Sequence, residues 1–219
     1  MKLPQLTRAR LVRRRNRFVA EADFPDGSRQ TVYCPNTGRM LGCSDPGAAI
    51  FVSRHEEPGR KHEFTWELTR AETSLVGVNT ARTNAIVGEG LETQQIGNLG
   101  QYVRNSPEVK INSRTRLDFR LDRSDDGPPC FLEVKNCTLV RNGVASFPDA
   151  VSKRGTKHLR ELVALARSGY RAAVLFLVQR TDADRFIPAR DIDPEYAKWL
   201  CRAASAGVDT LCYDVLIDL

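Results

Sequence analysis

The sequence predicts an α+β chain in two parts, a small β-barrel over residues 1–80 and a mixed-sheet domain over residues 81–219. Three observations carry this. Short apolar stretches separated by glycine turns occupy the chain as far as Thr69, the pattern of a small barrel. After Thr80, helical and strand-like segments follow in the order α-β-β-β-α-β-α-β, which gives a sheet flanked by helices. Within that order, two alternating segments flank a strong turn, the signature of a β-hairpin.

In the first part, Phe18-Val19-Ala20 reads as a strand preceded by a basic cluster at Arg13, Arg14, Arg15 and Arg17. Asp26-Gly27 is a hairpin turn with Gln30–Cys34 as the return strand. Pro35–Gly38 is a turn, Pro46-Gly47 another, and Ala49–Ser53 a strand. A loop at Glu57–Lys61 precedes the strand Phe64–Thr69, and the boundary between the two parts falls at Ala71–Thr80. The arginine cluster has two readings. It can protect a strand edge from pairing with another chain, or neutralise a nucleic-acid backbone. Its density beside Phe18 favours the second, since basic and aromatic residues on one barrel face suit nucleic acid.

In the second part, Thr80 is a candidate N-cap for a helix over Ala81–Gln94, weakened by Gly88 and Gly90. Gln101–Ile111 is a strand, and Pro107 places it at an edge or bulge. Leu117–Asp122 and Phe131–Lys135 form the hairpin. Phe147–Ala150 leads into a helix that runs to Arg167, with Leu159, Leu162, Val163 and Ala166 on one face. Ala172–Val178 is a buried strand. Asp193 caps a helix with Pro194 at its first position, Gly207 ends it, and Val208–Ile217 is the last strand.

The hairpin carries the chemistry. Leu117, Phe119 and Leu121 share one face and Asp118 the other, while Glu133 and Lys135 share a face because they are two apart. A loop centred on Asp125-Asp126 sets Asp118 opposite Glu133, with Cβ atoms roughly 5 Å apart. Carboxylates that close repel unless a proton or cation lies between them. A divalent metal held by Asp118 and Glu133, with Lys135 beside the reacting group, accounts for all three residues. Glu108 is a possible third metal ligand, and Glu89 competes with it for that role. Lys153, Arg154, Lys157, His158 and Arg160 crowd the start of the following helix, where cations oppose the macrodipole and an anionic partner would favour them.

The order acid, turn, E-x-K, basic helix start resembles the PD-(D/E)XK nuclease motif, in which an Asp and an E-x-K on adjacent strands bind Mg²⁺. A longer resemblance covers almost the whole chain. CPNTGRM (34–40), FTWELT (64–69), PEVK (107–110), RLDF (116–119), EVKNCTL (133–139), FPDAVSKRGTKHLREL (147–162) and FIPARDIDPEYA (186–197) are similar to the sugar fermentation stimulation protein A (SfsA) family. The resemblance implies an OB-like barrel followed by a PD-(D/E)XK nuclease-like mixed-sheet domain, DNA binding, and an enzymatic activity expected from the fold. Asn136 and Lys153 depart from the Ser and Glu common in the family, and Lys153 removes a ligand role at its position.

Composition excludes other classes. Lys and Arg number 33 against 27 Asp and Glu, a net charge of +6, an excess suited to a polyanionic partner. No apolar run reaches the ~18 residues of a membrane span, so no membrane partner is expected. The stretch MKLPQLTRARLVRRRNR lacks the apolar core of a signal peptide, which predicts a cytoplasmic protein. Six cysteines contain no C-x-x-C pair, so zinc spacing is absent and reduced thiols are expected. No nucleophile triad or phosphate-binding glycine loop is present. The reading is a DNA-binding, Mg²⁺- or Mn²⁺-dependent phosphodiesterase. A DNA-binding regulator that keeps the nuclease fold without turnover is the alternative. A hydrolase of a small phosphorylated metabolite is a third reading, and it needs fewer basic residues. The sequence leaves the oligomeric state open.

Overall fold

The computed structural model describes residues 1–55, 61–125 and 127–219. Residues 57–60 of the predicted loop and the turn residue Asp126 lie outside the described residues. Six strands build the first part: β1 (Leu6–Asn16), β2 (Val19–Asp23), β3 (Arg29–Tyr33), β4 (Ala49–Arg54), β5 (Phe64–Ala71) and β6 (Ser74–Gly77). They run β3-β2-β1-β4-β5-β6, and β3 also pairs with β5 in parallel through Val32–Phe64 and Tyr33–Thr65. That extra pairing closes β1 to β5 into an OB-type barrel, which leaves those strands no open edge. Leu11, Val32, Met40, Ile50, Val52 and Trp66 fill its interior.

Two features differ from the sequence expectation. The first strand begins at Leu6 rather than Phe18 and contains Arg13, Arg14 and Arg15. Only Ala9 and Leu11 of its eleven residues are buried, so the alternation that marks a strand is nearly silent. The stretch at the predicted boundary, 71–80, contains a strand rather than an irregular connection. Ser74–Gly77 pairs with β5, and Gly77 N donates to Gln179 O at 2.9 Å.

The second part opens with a 3₁₀ turn at Thr80–Arg82 and α1 (Thr83–Glu92). The cap is Asn79, whose side chain accepts from Ala81 N at 3.0 Å. Thr80, the predicted cap, instead donates its hydroxyl to Pro35 O. A 3₁₀ turn at Gly97–Leu99 leads to β7 (Tyr102–Asn112), β8 (Thr115–Arg123) and β9 (Cys130–Cys137). Then come β10 (Leu139–Arg141), β11 (Val144–Phe147), α2 (Lys153–Arg167), β12 (Arg171–Val178), β13 (Arg185–Pro188), α3 (Pro194–Ser205) and β14 (Asp209–Asp214). Asp193 accepts from Tyr196 N at 2.9 Å with Pro194 in the first turn, as the sequence predicts.

The main sheet has the order β14-β12-β9-β8-β7. β12 lies parallel to β9 and β14, and β7, β8 and β9 are antiparallel. The result is the predicted mixed sheet flanked by helices. Val87 of α1 packs with Phe119, Leu132 and Leu175 on one face. Leu159 and Leu162 of α2 and Tyr196 and Leu200 of α3 pack with Phe131 and Phe176 on the other. A small sheet, β10-β11-β13, was not foreseen, because strands of three or four residues are too short for a periodicity to register. No helix among the described residues is long and apolar enough to cross a membrane.

Besides the Gly77–Gln179 bond, further contacts join the parts. Met40 N donates to Asp149 Oδ2 at 2.8 Å, and a Cβ at Gly38 would stand 2.5 Å from the same oxygen, so only glycine allows that approach. Arg82 reaches into the barrel to bind Glu67 of β5.

Candidate functional site

The hairpin keeps the predicted register. Phe119 pairs with Leu132, Arg120 with Phe131 and Leu121 with Cys130, which carries Asp118 to the level of Glu133. The ladder stops one step short of that pair, and Asp118 Oδ2 accepts from Val134 N at 2.7 Å instead. On the other side of β8, Pro107 pairs with Phe119 and Val109 with Leu117. Glu108 therefore falls beside Asp118, and the three acids stand in one row across three strands.

Their environments differ. Glu133 is 3% exposed. Its Oε1 accepts from Lys135 Nζ and from His158 Nδ1, so Nδ1 carries the proton. Its Oε2 has no hydrogen-bond partner among the described residues. Burial alone would raise the Glu133 pKa, but Lys135 and His158 outweigh it and hold the carboxyl below its usual range. Asp118 moves the other way. Burial pushes it up, the Glu133 charge pushes it further, and the bonds from Val134 N and Asn84 only partly offset this. Asn84 Nδ2, from α1, donates to Asp118 Oδ1 at 2.9 Å. Glu108 is exposed, adopts a positive φ of 55° and sits 3.5 Å from Arg116.

These acids line a cleft of about 720 Å³ between barrel and main sheet. The barrel contributes Arg17 and the Asn36–Gly38 loop. The sheet domain contributes Asp118, Glu133, Lys135 and Asn136 on its floor, with Arg154 at the start of α2. The predicted basic residues separate on this geometry. Arg17 and Arg154 face the cleft. Arg14 turns inward and donates to the carbonyls of Gly38, Asn36 and Arg17. Arg13 and Arg15 both pair with Glu21, at 2.7 and 3.2 Å. Lys157 donates to Arg114 O at 2.7 Å, and Lys153 is exposed.

Sequence reasoning missed Asn84, which orients Asp118, and the role of His158, which it counted only as one more cation. His158 lies on the buried side of α2, four residues before Leu162 and one before Leu159, so its place on the apolar stripe was the available signal. Asn84 gave none.

The donor set fits a hard divalent cation. A buried carboxylate with an unpartnered oxygen among the described residues stands beside the half-buried Asp118, and oxygen-rich sites of this kind suit Mg²⁺ or Mn²⁺. Among the described residues, however, no three His, Cys, Asp or Glu side chains converge on one point. Glu108 would have to turn inward to complete such a set.

Comparison with known proteins places residues 12–78 in the SfsA N-terminal OB domain and residues 81–219 in the sugar fermentation stimulation protein RE domain. A sugar fermentation stimulation protein homolog from Halorhodospira halophila is 48% identical over 208 residues, covering 93% of this chain and 86% of that protein. One from Geobacter sulfurreducens is 44% identical over 208 residues, covering 94% and 88%. A solved structure described as Pyrococcus furiosus SfsA in complex with Ca²⁺ superposes with a TM-score of 0.91 at 25% identity, covering 100% of this chain and 92% of that one.

Proposed function

The chain belongs to the sugar fermentation stimulation protein family, and from that premise we propose that it is a cytoplasmic, divalent-metal-dependent phosphodiesterase acting on nucleic acid, with DNA as the favoured substrate. The observation that carries this is the buried Glu133 carboxylate, whose Oε2 lacks a partner among the described residues, beside a second carboxylate with a raised pKa. Lys135 and His158 compensate Glu133 through Oε1 alone, and a bound cation would occupy Oε2 and ease the Glu133 repulsion that raises Asp118. The Ca²⁺ complex of the Pyrococcus furiosus protein supports a divalent cation, since Ca²⁺ also takes carboxylate oxygens.

Asp118 and Glu133 would hold Mg²⁺ or Mn²⁺, which when bound lowers the pKa of water and polarises a phosphoryl oxygen. Val134 N and Asn84 fix the two Asp118 oxygens. His158 and Lys135 both take Oε1 of Glu133, which keeps Oε2 as the available donor. Lys135, only 13% exposed, stands where its ammonium can stabilise charge that develops on a phosphate. Arg17 and Arg154, on opposite walls, would draw the phosphate backbone into the cleft.

One observation favours a second reading, a DNA-binding regulator without turnover. Lys135 already neutralises Glu133 within the protein and His158 adds a second bond to the same oxygen, so the site is tolerable with no metal. Incubating the protein with single- and double-stranded DNA and RNA, with Mg²⁺ or Mn²⁺, separates the two. Cleavage that requires metal and vanishes in Glu133→Gln and Asp118→Asn is the expected result. No cleavage, together with no heat of Mn²⁺ binding at millimolar concentration in the presence of DNA, would leave the regulator reading.

A further inference from the structure

Phe18 stands apart from the cleft chemistry. It sits in the β1–β2 turn with 48% of its surface exposed, although its own N–H and C=O and the preceding carbonyl are anchored. Phe18 N donates to Asn16 Oδ1 at 2.9 Å, Phe18 O accepts from Cys34 N at 2.8 Å, and Arg17 O accepts from Arg14 at 2.9 Å. A turn this firmly tied holds its aromatic ring outward at no further ordering cost.

The ring borders a second, shallower hollow, lined by Phe18, Val19, Tyr33, Lys61 and His62. Val19 and Tyr33 are paired neighbours on β2 and β3. The rings of Tyr33 and His62 are parallel to within 3°, with centroids 6.4 Å apart, so they share one stacking direction. Lys61 adds a positive charge at the rim. In OB barrels the face of strands 2 and 3, with the β1–β2 and β4–β5 connections, is a surface that takes oligomers. All five residues come from those elements.

We propose that Phe18, Tyr33 and His62 form a stacking platform for an unpaired base of a single strand whose backbone continues into the cleft. The link is direct in the chain: Arg17 lines the cleft and the next residue, Phe18, lines the platform. Base faces stack on aromatic rings irrespective of sequence, and Lys61 complements the phosphate beside the base. A paired base offers no free face, so the platform makes the substrate single-stranded, or locally unpaired, nucleic acid. The inference rests on the nucleic-acid reading above for the kind of polymer bound.

The test compares three probes of equal length: a labelled oligo-dT strand, the same strand built from abasic units, and a blunt duplex. Stacking predicts that wild type binds oligo-dT about tenfold or more tighter than the abasic strand. Phe18→Ala and Phe18→Leu should erase that difference, Phe18→Trp should keep it, and duplex and abasic affinities should not move. Equal affinity of wild type for oligo-dT and abasic strands would overturn the platform. So would a loss shared by all three probes in Phe18→Leu, or a Phe18→Leu protein that binds oligo-dT as wild type does. Failure here is distinct from failure of the nuclease reading. Cleavage with base-independent binding removes only the platform, and base-dependent binding without cleavage removes only the nuclease.

Discussion

Glu67 in the barrel and Glu133 in the main sheet are both buried glutamates, 1% and 3% exposed, and the carboxyl of each is held below its usual pKa. They differ in how their oxygens are used. Glu67 Oε1 accepts from Ser53 at 2.7 Å and Arg82 at 2.8 Å. Its Oε2 accepts from Asn79 at 2.8 Å and from Arg82. Both oxygens are filled, and Arg82 binds them in a bidentate fork. Glu133 has two donors on one oxygen and none on the other among the described residues. A saturated buried carboxylate fastens structure, whereas a half-saturated one is an incomplete site. Burial and pKa direction alone would not tell the two apart.

The sharpest way to break this contrast is to neutralise each glutamate in turn. Glu67→Gln should lower unfolding stability by about 3 kcal/mol, the scale for breaking a buried pair and leaving one charge alone. Activity per folded molecule should stay near wild type, as read by chemical denaturation beside a nuclease assay. Glu133→Gln loses its pairing with Lys135 but also removes the repulsion on Asp118, a relief Glu67→Gln lacks, so it should abolish activity with a smaller stability loss. Equal stability losses would mean that the free oxygen has no meaning.

The Glu67 contribution also has a pH signature. Burial raises its pKa, the bonds from Arg82, Ser53 and Asn79 lower it more, and the net folded value lies below the ordinary 4.5. A depressed carboxylate gives its full stabilisation above the unfolded value and loses it as pH falls through the folded one. The stability gap between wild type and Glu67→Gln should therefore be constant above about pH 5 and shrink in more acid solution. A gap that persists unchanged at pH 3 would assign the loss to packing.

Lys135 tests the open site more finely. Lys135→Ala should lower turnover by about a hundredfold while Mn²⁺ affinity by calorimetry stays near wild type, because an ammonium is not a ligand. A matching fall in Mn²⁺ affinity would recast Lys135 as a residue that only positions Glu133.

The smallest effect expected comes from the arginines. Arg17→Ala should flatten the slope of log K against log salt for DNA binding by roughly 0.7–0.9, one phosphate contact. Arg13→Ala should change it less, because Glu21 already pairs that guanidinium. The reverse ranking would move the interface off the cleft and onto the outer face of β1.

The boundary between what was legible and what was not follows the range of the forces involved. The sequence by itself determined the hairpin and its register, because alternation fixes which side of a strand Phe119 and Leu121 face and the turn fixes the offset, whereas Leu117, expected beside them, packs in the opposite core with Leu159 and Phe176. It also determined the Asp193 cap and the buried face of α2, both set within a few residues. It could not determine where Arg13, Arg14, Arg15 and Arg17 point, because β1 buries too few apolar side chains to show its period. Nor could it bring Asn84 to Asp118, His158 to Glu133 or Arg17 to the cleft. Those meetings join residues 25 or more positions apart. They are decided by which faces of the helices and barrel bury apolar surface against one another, a property of the packed whole that no local pattern encodes.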